Sequence, residues 1–222
     1  YKELRTELEG LGHHFQSTSD TEVLLHAYMQ WGVDALPRLN AAYACAIYDR
    51  EREELLLARD RYGKRPLFYT EVGDTLVFAS EMKSFLAFPG ATFELDEAQL
   101  ASIFTVWTPL PDQSGFAGIQ QIPNGWYLKQ RGRTRTLAPY TTLDWPAERF
   151  AGSTGEAIER TRDILSDAVR LRLRSDVEVA TYLSGGLDSA ITTQLALANG
   201  LSQVHSFSIT FDDKEFDESS DQ

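Results

Sequence analysis

Tyr182-Leu183-Ser184-Gly185-Gly186-Leu187-Asp188-Ser189 is the stretch from which the fold can be read. A strand pattern enters it, with Val177, Val179, Thr181 and Leu183 alternating with Glu178, Ala180 and Tyr182. A helix pattern leaves it through Ala190, Ile191, Leu195 and Ala198, and Gly200 stands where a terminating glycine is expected. Strand, small-residue turn and helix together aim backbone N–H groups at an anion. Gly185 and Gly186 carry no Cβ, so a phosphate can approach the main chain, and Ser184 and Ser189 add hydroxyl donors. Asp188 repels a phosphate unless a cation lies between them. Mg²⁺ is commonly held by one or two carboxylates plus phosphate oxygens, and Asp188 fits that role.

Two familiar phosphate loops are excluded. The G-x-x-x-x-G-K-S/T pattern needs a lysine that this loop lacks, and Gly63-Lys64 has no earlier glycine at the right distance. The dinucleotide pattern G-x-G-x-x-G is also absent. What remains, S-G-G-x-D-S after a strand, resembles the pyrophosphate loop of the ATP pyrophosphatases, which cleave ATP between its α and β phosphates and adenylate a substrate.

Outward from the loop, Ser153-x-x-Glu156 predicts a capping box opening a helix with a stripe of Ala157, Thr161, Leu165 and Ala168. Val204–Phe211 predicts a second strand, and the acidic run from Asp212 to Glu218 a solvated loop. Residues 139–155 hold prolines, glycines, Ser and Thr with little periodicity and read as a linker. Before it the period changes. Short apolar runs at Tyr43–Tyr48, Leu55–Arg59, Leu67–Thr70, Leu76–Ala79 and Trp126–Lys129 are joined by turns such as Gly73-Asp74 and Asn124-Gly125, which predicts antiparallel sheet. Helices are expected over residues 1–12, from Ser19 to Gly32 with a second capping box Ser19-x-x-Glu22, and over Asp96–Phe104.

The chain has 222 residues, 42% hydrophobic and 24% charged, as in ordinary globular proteins, with room for two modest domains. A net charge of -12 argues against general nucleic-acid binding, which calls for a basic face. One cysteine, Cys45, forbids an internal disulfide and suits a reducing cytoplasm. No apolar run is long enough for a membrane span. His13, His14, His26 and His205 have no metal-ligand spacing.

Taken in order, "SDTEVLL", "RDRYGKRPLFY", "FASEMKS", "IQQIPNGWY" and "VATYLSGGLDSA" resemble the glutamine-hydrolysing asparagine synthetases over nearly the whole chain. The resemblance implies an α+β antiparallel sandwich of the N-terminal-nucleophile type over residues 1–138. It implies the first units of an α/β doubly wound, parallel-sheet ATP pyrophosphatase domain over 156–222. The implied chemistry is ATP- and Mg²⁺-dependent formation of β-aspartyl-AMP, which ammonia from glutamine converts to asparagine. Adenylation turns a poor leaving group into a good one, so pyrophosphate charge must be neutralised and water excluded. The implied partners are glutamine, aspartate and ATP, with neither nucleic acid nor membrane, and a homodimer is compatible.

By motif, Leu183, Ser184, Gly185, Gly186, Asp188, Ser189 and Ile209 match nucleotide-binding positions, and Asp20 matches the acid that holds the glutamine α-amino group. Charged hydrogen bonds of roughly 1.5–3 kcal/mol each suffice, several together, to hold the phosphates. Arg59, Asp60, Gly63 and Pro66 read as loop-shaping residues. The family's nucleophile is an N-terminal cysteine, whereas this chain starts at Tyr1 and Cys45 lies mid-strand. The reading is therefore of a piece of a longer protein, without synthetase activity by itself. Alternatives are a related amidotransferase or β-lactam-synthetase-like ligase on another carboxylate, or a non-catalytic nucleotide-binding relative.

Overall fold

The computed structural model describes residues 1–142, 145–146 and 148–210. It divides into two units, Tyr1–Asp144 and Trp145–Gln222.

The first unit opens with α1 (Lys2–Gly10) and α2 (Asp20–Trp31), followed by a 3-10 stretch, Gly32–Arg38. Leu8, Val23, Ala27 and Ala35 are fully buried together, with Leu4, Phe15 and Trp31 packed against them. Gly32 ends α2 at a φ of 60° that a side-chain-bearing residue rarely adopts. Seven strands follow: β1 (Ala44–Asp49), β2 (Glu54–Arg59), β3 (Phe68–Val72), β4 (Thr75–Ala79), β5 (Gln120–Gln121), β6 (Trp126–Arg131) and β7 (Thr134–Pro139), with α3 (Glu97–Val106) between β4 and β5. They form two antiparallel sheets, ordered β1-β2-β6-β7 and β4-β3-β5.

Leu57 of β2 lies opposite Leu128 of β6 and Ala46 of β1, and Leu128 lies opposite Leu137 of β7. Leu57 and Leu128 share one core with Leu67, Tyr69 and Ile122, so the two sheets are packed face to face. The alternate residues of β2, Glu54, Leu56 and Ala58, are buried on the opposite face. There the Tyr28 hydroxyl of α2 donates to Glu54 Oε1 at 3.5 Å, and Lys129 Nζ pairs with Glu54 Oε2 at 2.9 Å. β2 is covered on both sides, which explains why it reads as a continuous apolar run rather than an alternation.

Two stretches far apart in sequence interlock at the end of β2. Asp60, 1% exposed, accepts backbone N–H groups from Tyr43, Tyr62, Lys64 and Arg65 at 3.0–3.2 Å. Burial raises its pKa, but these four donors outweigh burial and hold it below the usual carboxylate value. The Arg59 guanidinium donates to the carbonyls of Gly63, Arg65 and Ile122. The Gly125 amide donates to Asp60 O, and the Tyr140 hydroxyl to Arg59 O. Gly63 has a φ of 62°, and a Cβ there would lie 1.9 Å from Asn124 Oδ1. The loop-shaping expectation for Arg59, Asp60 and Gly63 is thus met by hydrogen bonds.

The second unit holds α4 (Thr154–Arg172), β8 (Ala180–Tyr182), α5 (Leu187–Ala198) and β9 (His205–Phe207), with β8 and β9 parallel. The capping box predicted at Ser153 and Glu156 is present in both directions. Asn199, just past α5, donates through Nδ2 to Ser166 Oγ of α4 at 2.9 Å.

Several expectations are corrected. The capping box at Ser19 and Glu22 does not form, because Ser19 Oγ accepts from Thr21 N and Glu22 reaches outside the helix. In α4, Thr161, Leu165 and Ala168 are exposed, and the half-covered positions are Ala157, Ser166, Val169 and Leu171, with Ser166 on the side that bonds Asn199. The β8 ladder is shorter than its alternation, leaving Val177 exposed. Pro139 and Tyr140, assigned to the linker, belong to the first unit through β7 and the Arg59 bond. Phe211 and the acidic run 212–218 lie outside the described residues.

Candidate functional site

In the first unit an open cavity of about 950 Å³ is lined by residues that include Ser19, Asp20, Arg38, Asn40, Tyr43 and Cys45. Asp20 is the first residue of α2, and Ser19 caps the helix. The Asp20 carboxylate accepts only a long bond from the Thr21 hydroxyl, 3.4 Å, and forms no ion pair among the described residues. An exposed, unpaired carboxylate at the rim of a cavity can receive an ammonium group.

Cys45 lines the same cavity, but burial pushes its thiol up to about 11, only partly offset by the Ala58 backbone bond. A thiol held that high is a poor nucleophile near neutrality. Beside it, burial and the hydrogen bond to Tyr140 raise the Tyr43 hydroxyl far above its ordinary value. Neither group supplies a base to the cavity.

In the second unit the Ser184–Ser189 stretch joins the C-terminal end of β8 to the start of α5. Ligands of parallel α/β sheets bind at that end of the strands. Gly185 has a φ of 87°, the left-handed turn that Gly accepts without strain. Helix α5 has no side-chain cap, and its first i→i−4 bond runs from Ala190 N to Gly186 O. The amides that precede it open the helix and point away from it. The loop is solvent-facing, with Ser184, Gly186, Leu187 and Asp188 exposed and Gly185 and Ser189 half-buried.

The two serines brace this loop. Ser189 Oγ accepts from Ser184 N at 3.2 Å and donates to Gly186 O at 2.8 Å, while Ser184 Oγ lies 3.2 Å from Ser189 Oγ and accepts from Gly186 N at 3.4 Å. The serine hydroxyls are thus engaged within the loop, and donors left to face outward come chiefly from the main chain. Leu183 sits at the strand end, its N–H bonded to Phe207 O and its carbonyl accepting from Ser208 Oγ. Ile209, 70% exposed, follows β9 at the same end of the ladder. Leu183, Ser184, Gly185, Gly186, Asp188, Ser189 and Ile209 thus gather at one edge of the β8-β9 pair.

Among the described residues no group of three His, Cys, Asp or Glu side chains is placed to hold a metal ion. Asp188 is the carboxylate at the loop, so a cation there would draw its remaining ligands from a bound anion or water. Among the same residues no helix is long and apolar enough to cross a membrane.

Residues 1–141 match a family model described as a glutamine amidotransferase domain, and residues 160–222 one described as asparagine synthase. The chain is 37% identical over 219 residues to the glutamine-hydrolyzing asparagine synthetase 3 of Bacillus subtilis (strain 168), covering 96% of this chain and 35% of that protein. It is 33% identical over 222 residues to asparagine synthetase 2 of the same organism, covering 94% of this chain and 29% of that protein. A solved glutamine phosphoribosylpyrophosphate amidotransferase from B. subtilis is similar at 19% identity with a TM-score of 0.46, over 97% of this chain and 45% of that one. The chain spans about a third of the length of these curated relatives.

Proposed function

The chain belongs to the glutamine amidotransferase family, and from that premise we propose that the whole protein is an ATP-dependent asparagine synthetase fed with ammonia from glutamine. In this reading the second unit is the start of a doubly wound ATP pyrophosphatase domain, and the protein works in the cytoplasm. The observation that carries the reading is the exposed start of α5, without a side-chain cap, inside S-G-G-L-D-S at the C-terminal end of two parallel strands.

The main-chain donors at Gly185, Leu187 and Asp188 would hold the pyrophosphate of ATP, and the left-handed turn at Gly185 keeps the approach clear. Ser184 and Ser189 keep the loop in that shape. Asp188 is the residue that fits Mg²⁺, shared with phosphate oxygens, and the cation when bound neutralises charge on the leaving pyrophosphate. Leu183 and Ile209 would flank the nucleotide. In the first unit Asp20 would pair with the α-ammonium of glutamine. Cys45 is not the nucleophile of glutamine hydrolysis in this reading, because desolvation of its half-buried thiol disfavours the thiolate.

Asp188→Ala in the whole protein should abolish aspartate-dependent pyrophosphate release from ATP while leaving glutamine hydrolysis intact. If pyrophosphate release survives, the metal role of Asp188 is wrong. If the unaltered protein binds ATP and releases no pyrophosphate with any carboxylate, it is a non-catalytic relative. Release with a carboxylate other than aspartate would mark a related ligase.

A further inference from the structure

The segment that leads into Asp20 is held from both sides by charged groups. Glu22, on the first turn of α2, turns back out of the helix. Its Oε1 accepts the Gln16 N–H at 2.7 Å, and its Oε2 accepts the Ser17 N–H at 2.8 Å and the Ser17 hydroxyl at 2.6 Å. From α1, the Arg5 guanidinium donates to Ser17 O at 2.6 Å and lies 4.4 Å over the Phe15 ring. The Ser17 hydroxyl, while donating to Glu22, accepts the Ser19 N–H at 3.1 Å. Ser19 then caps α2 through Thr21 N at 3.1 Å. A continuous chain of hydrogen bonds runs from Glu22 through Ser17 to Ser19, the residue before Asp20.

Glu22 is itself backed. His26, one turn along α2, sits with Nε2 3.8 Å from Glu22 Oε1. His26 is braced in turn by His13, Nδ1 to Nδ1 at 2.9 Å, and by the Phe15 ring at 4.6 Å. His13 Nε2 is tied to Gln30 Oε1 at 2.8 Å. These contacts fix the rotamer of a side chain that would otherwise lie free on the helix surface.

We propose that Glu22 is a positioning residue for the glutamine site, holding the Gln16–Ser19 turn so that the Asp20 carboxylate stands unpaired at the rim of the cavity. The inference rests on the reading of Asp20 as the ligand of the glutamine α-ammonium. A helix-capping Glu would spend its carboxylate on the cap residue's own amide. Glu22 instead binds amides two and three residues before the cap, where they determine how the chain enters the helix. Among the described residues Asp20 has no cation of its own, so in this reading the incoming ammonium is its charged partner.

The test compares Glu22→Ala, Glu22→Gln and Asp20→Asn in the whole protein, with glutamine or free ammonia as nitrogen donor, and follows amide exchange at Gln16 and Ser17. Glu22→Ala should raise the glutamine KM at least tenfold with kcat within twofold, leave ammonia-dependent synthesis unchanged, and speed exchange at both amides at least tenfold. Glu22→Gln, which keeps one acceptor oxygen, should fall between wild type and Glu22→Ala in both readouts. Faster exchange with an unchanged glutamine KM overturns the proposal, and so does an equal fall in ammonia-dependent activity. If Asp20→Asn raises the KM and Glu22→Ala does not, the positioning role alone fails. If Asp20→Asn also leaves the KM unchanged, the glutamine reading of Asp20 falls and takes the positioning role with it.

Discussion

Asp60→Ala removes one acceptor from four backbone N–H groups at 3.0–3.2 Å in a position only 1% exposed. A buried donor left without a partner costs about 1–3 kcal/mol. The four do not add fully, since Tyr62, Lys64 and Arg65 are exposed residues whose amides can turn to water entering the vacated space. The Arg59 guanidinium bonds to three carbonyls and the Gly125 amide to Asp60 O do not use the Asp60 side chain and survive the change. The expected loss is about 3–5 kcal/mol, as for removal of one partner from a buried charged interaction. In a unit of this size that lowers Tm on the order of 10 °C. Differential scanning calorimetry of the chain, with the first-unit transition assigned through a probe near Trp126, measures it. Asp60 also carries a sign in pH. Its folded pKa is depressed, so its contribution is complete above the ordinary Asp value near 3.9 and is lost as pH falls through the folded value. Asp60→Ala should therefore flatten the acid limb of the first-unit stability curve. A Tm change under about 2 °C, or an unchanged acid limb, would refute the account of this hub.

Two further outcomes follow from the geometry of the first unit. With its thiol held at about 11, Cys45 should react with a thiol reagent at pH 8 about a hundredfold more slowly than an unshifted cysteine, and faster labelling would contradict the raised thiol. Glu22, lowered to about 2 by the Gln16 amide first and the Ser17 hydroxyl next, should keep protecting the Gln16 and Ser17 amides at pH 4 and release them only as pH falls toward 2. A carboxyl titration followed by NMR with a midpoint near 4.5 would show the clamp to be weaker than drawn.

Local elements of the first unit were legible because their signals are local. Helical spacing in α2 predicts a buried stripe of Val23, Leu24, Ala27, Tyr28 and Trp31, of which Val23, Ala27 and Tyr28 are buried and Leu24 and Trp31 half-buried, and the Gly73-Asp74 turn joins β3 to β4. The loop at Ser184–Ser189 was legible for the same reason, as strand end, glycine pair and helix start adjoin in sequence. Long-range pairings were not legible. Nothing near Leu57 announces Leu128 as its partner, since Trp126, Tyr127 and Leu128 are all apolar and the sequence does not set the register between β2 and β6. The hub around Asp60 drew on residues from Tyr43 to Tyr140, and a turn-shaping reading caught its purpose without its bonds.

Glu22 was misread for a physical reason. Ser-x-x-Glu favours a capping box only when no better donors compete, and the amides of Gln16 and Ser17 lie closer to its carboxylate. The expected stripe of α4 is covered only at Ala157, because helical spacing admits more than one face, and the covered positions include Ser166, which bonds Asn199. The serines of the glycine loop were expected to donate outward, but a tight turn needs internal acceptors first.

The central claim is that the main chain from Ser184 to Ser189 grips the pyrophosphate of ATP. Amide shifts of this chain recorded on adding magnesium pyrophosphate and then MgATP test it most directly. The account predicts the largest changes at Gly185, Leu187 and Asp188, lost in Asp188→Ala when magnesium is required for binding. Shifts confined to other residues, or none at the loop at saturating ligand, would contradict it.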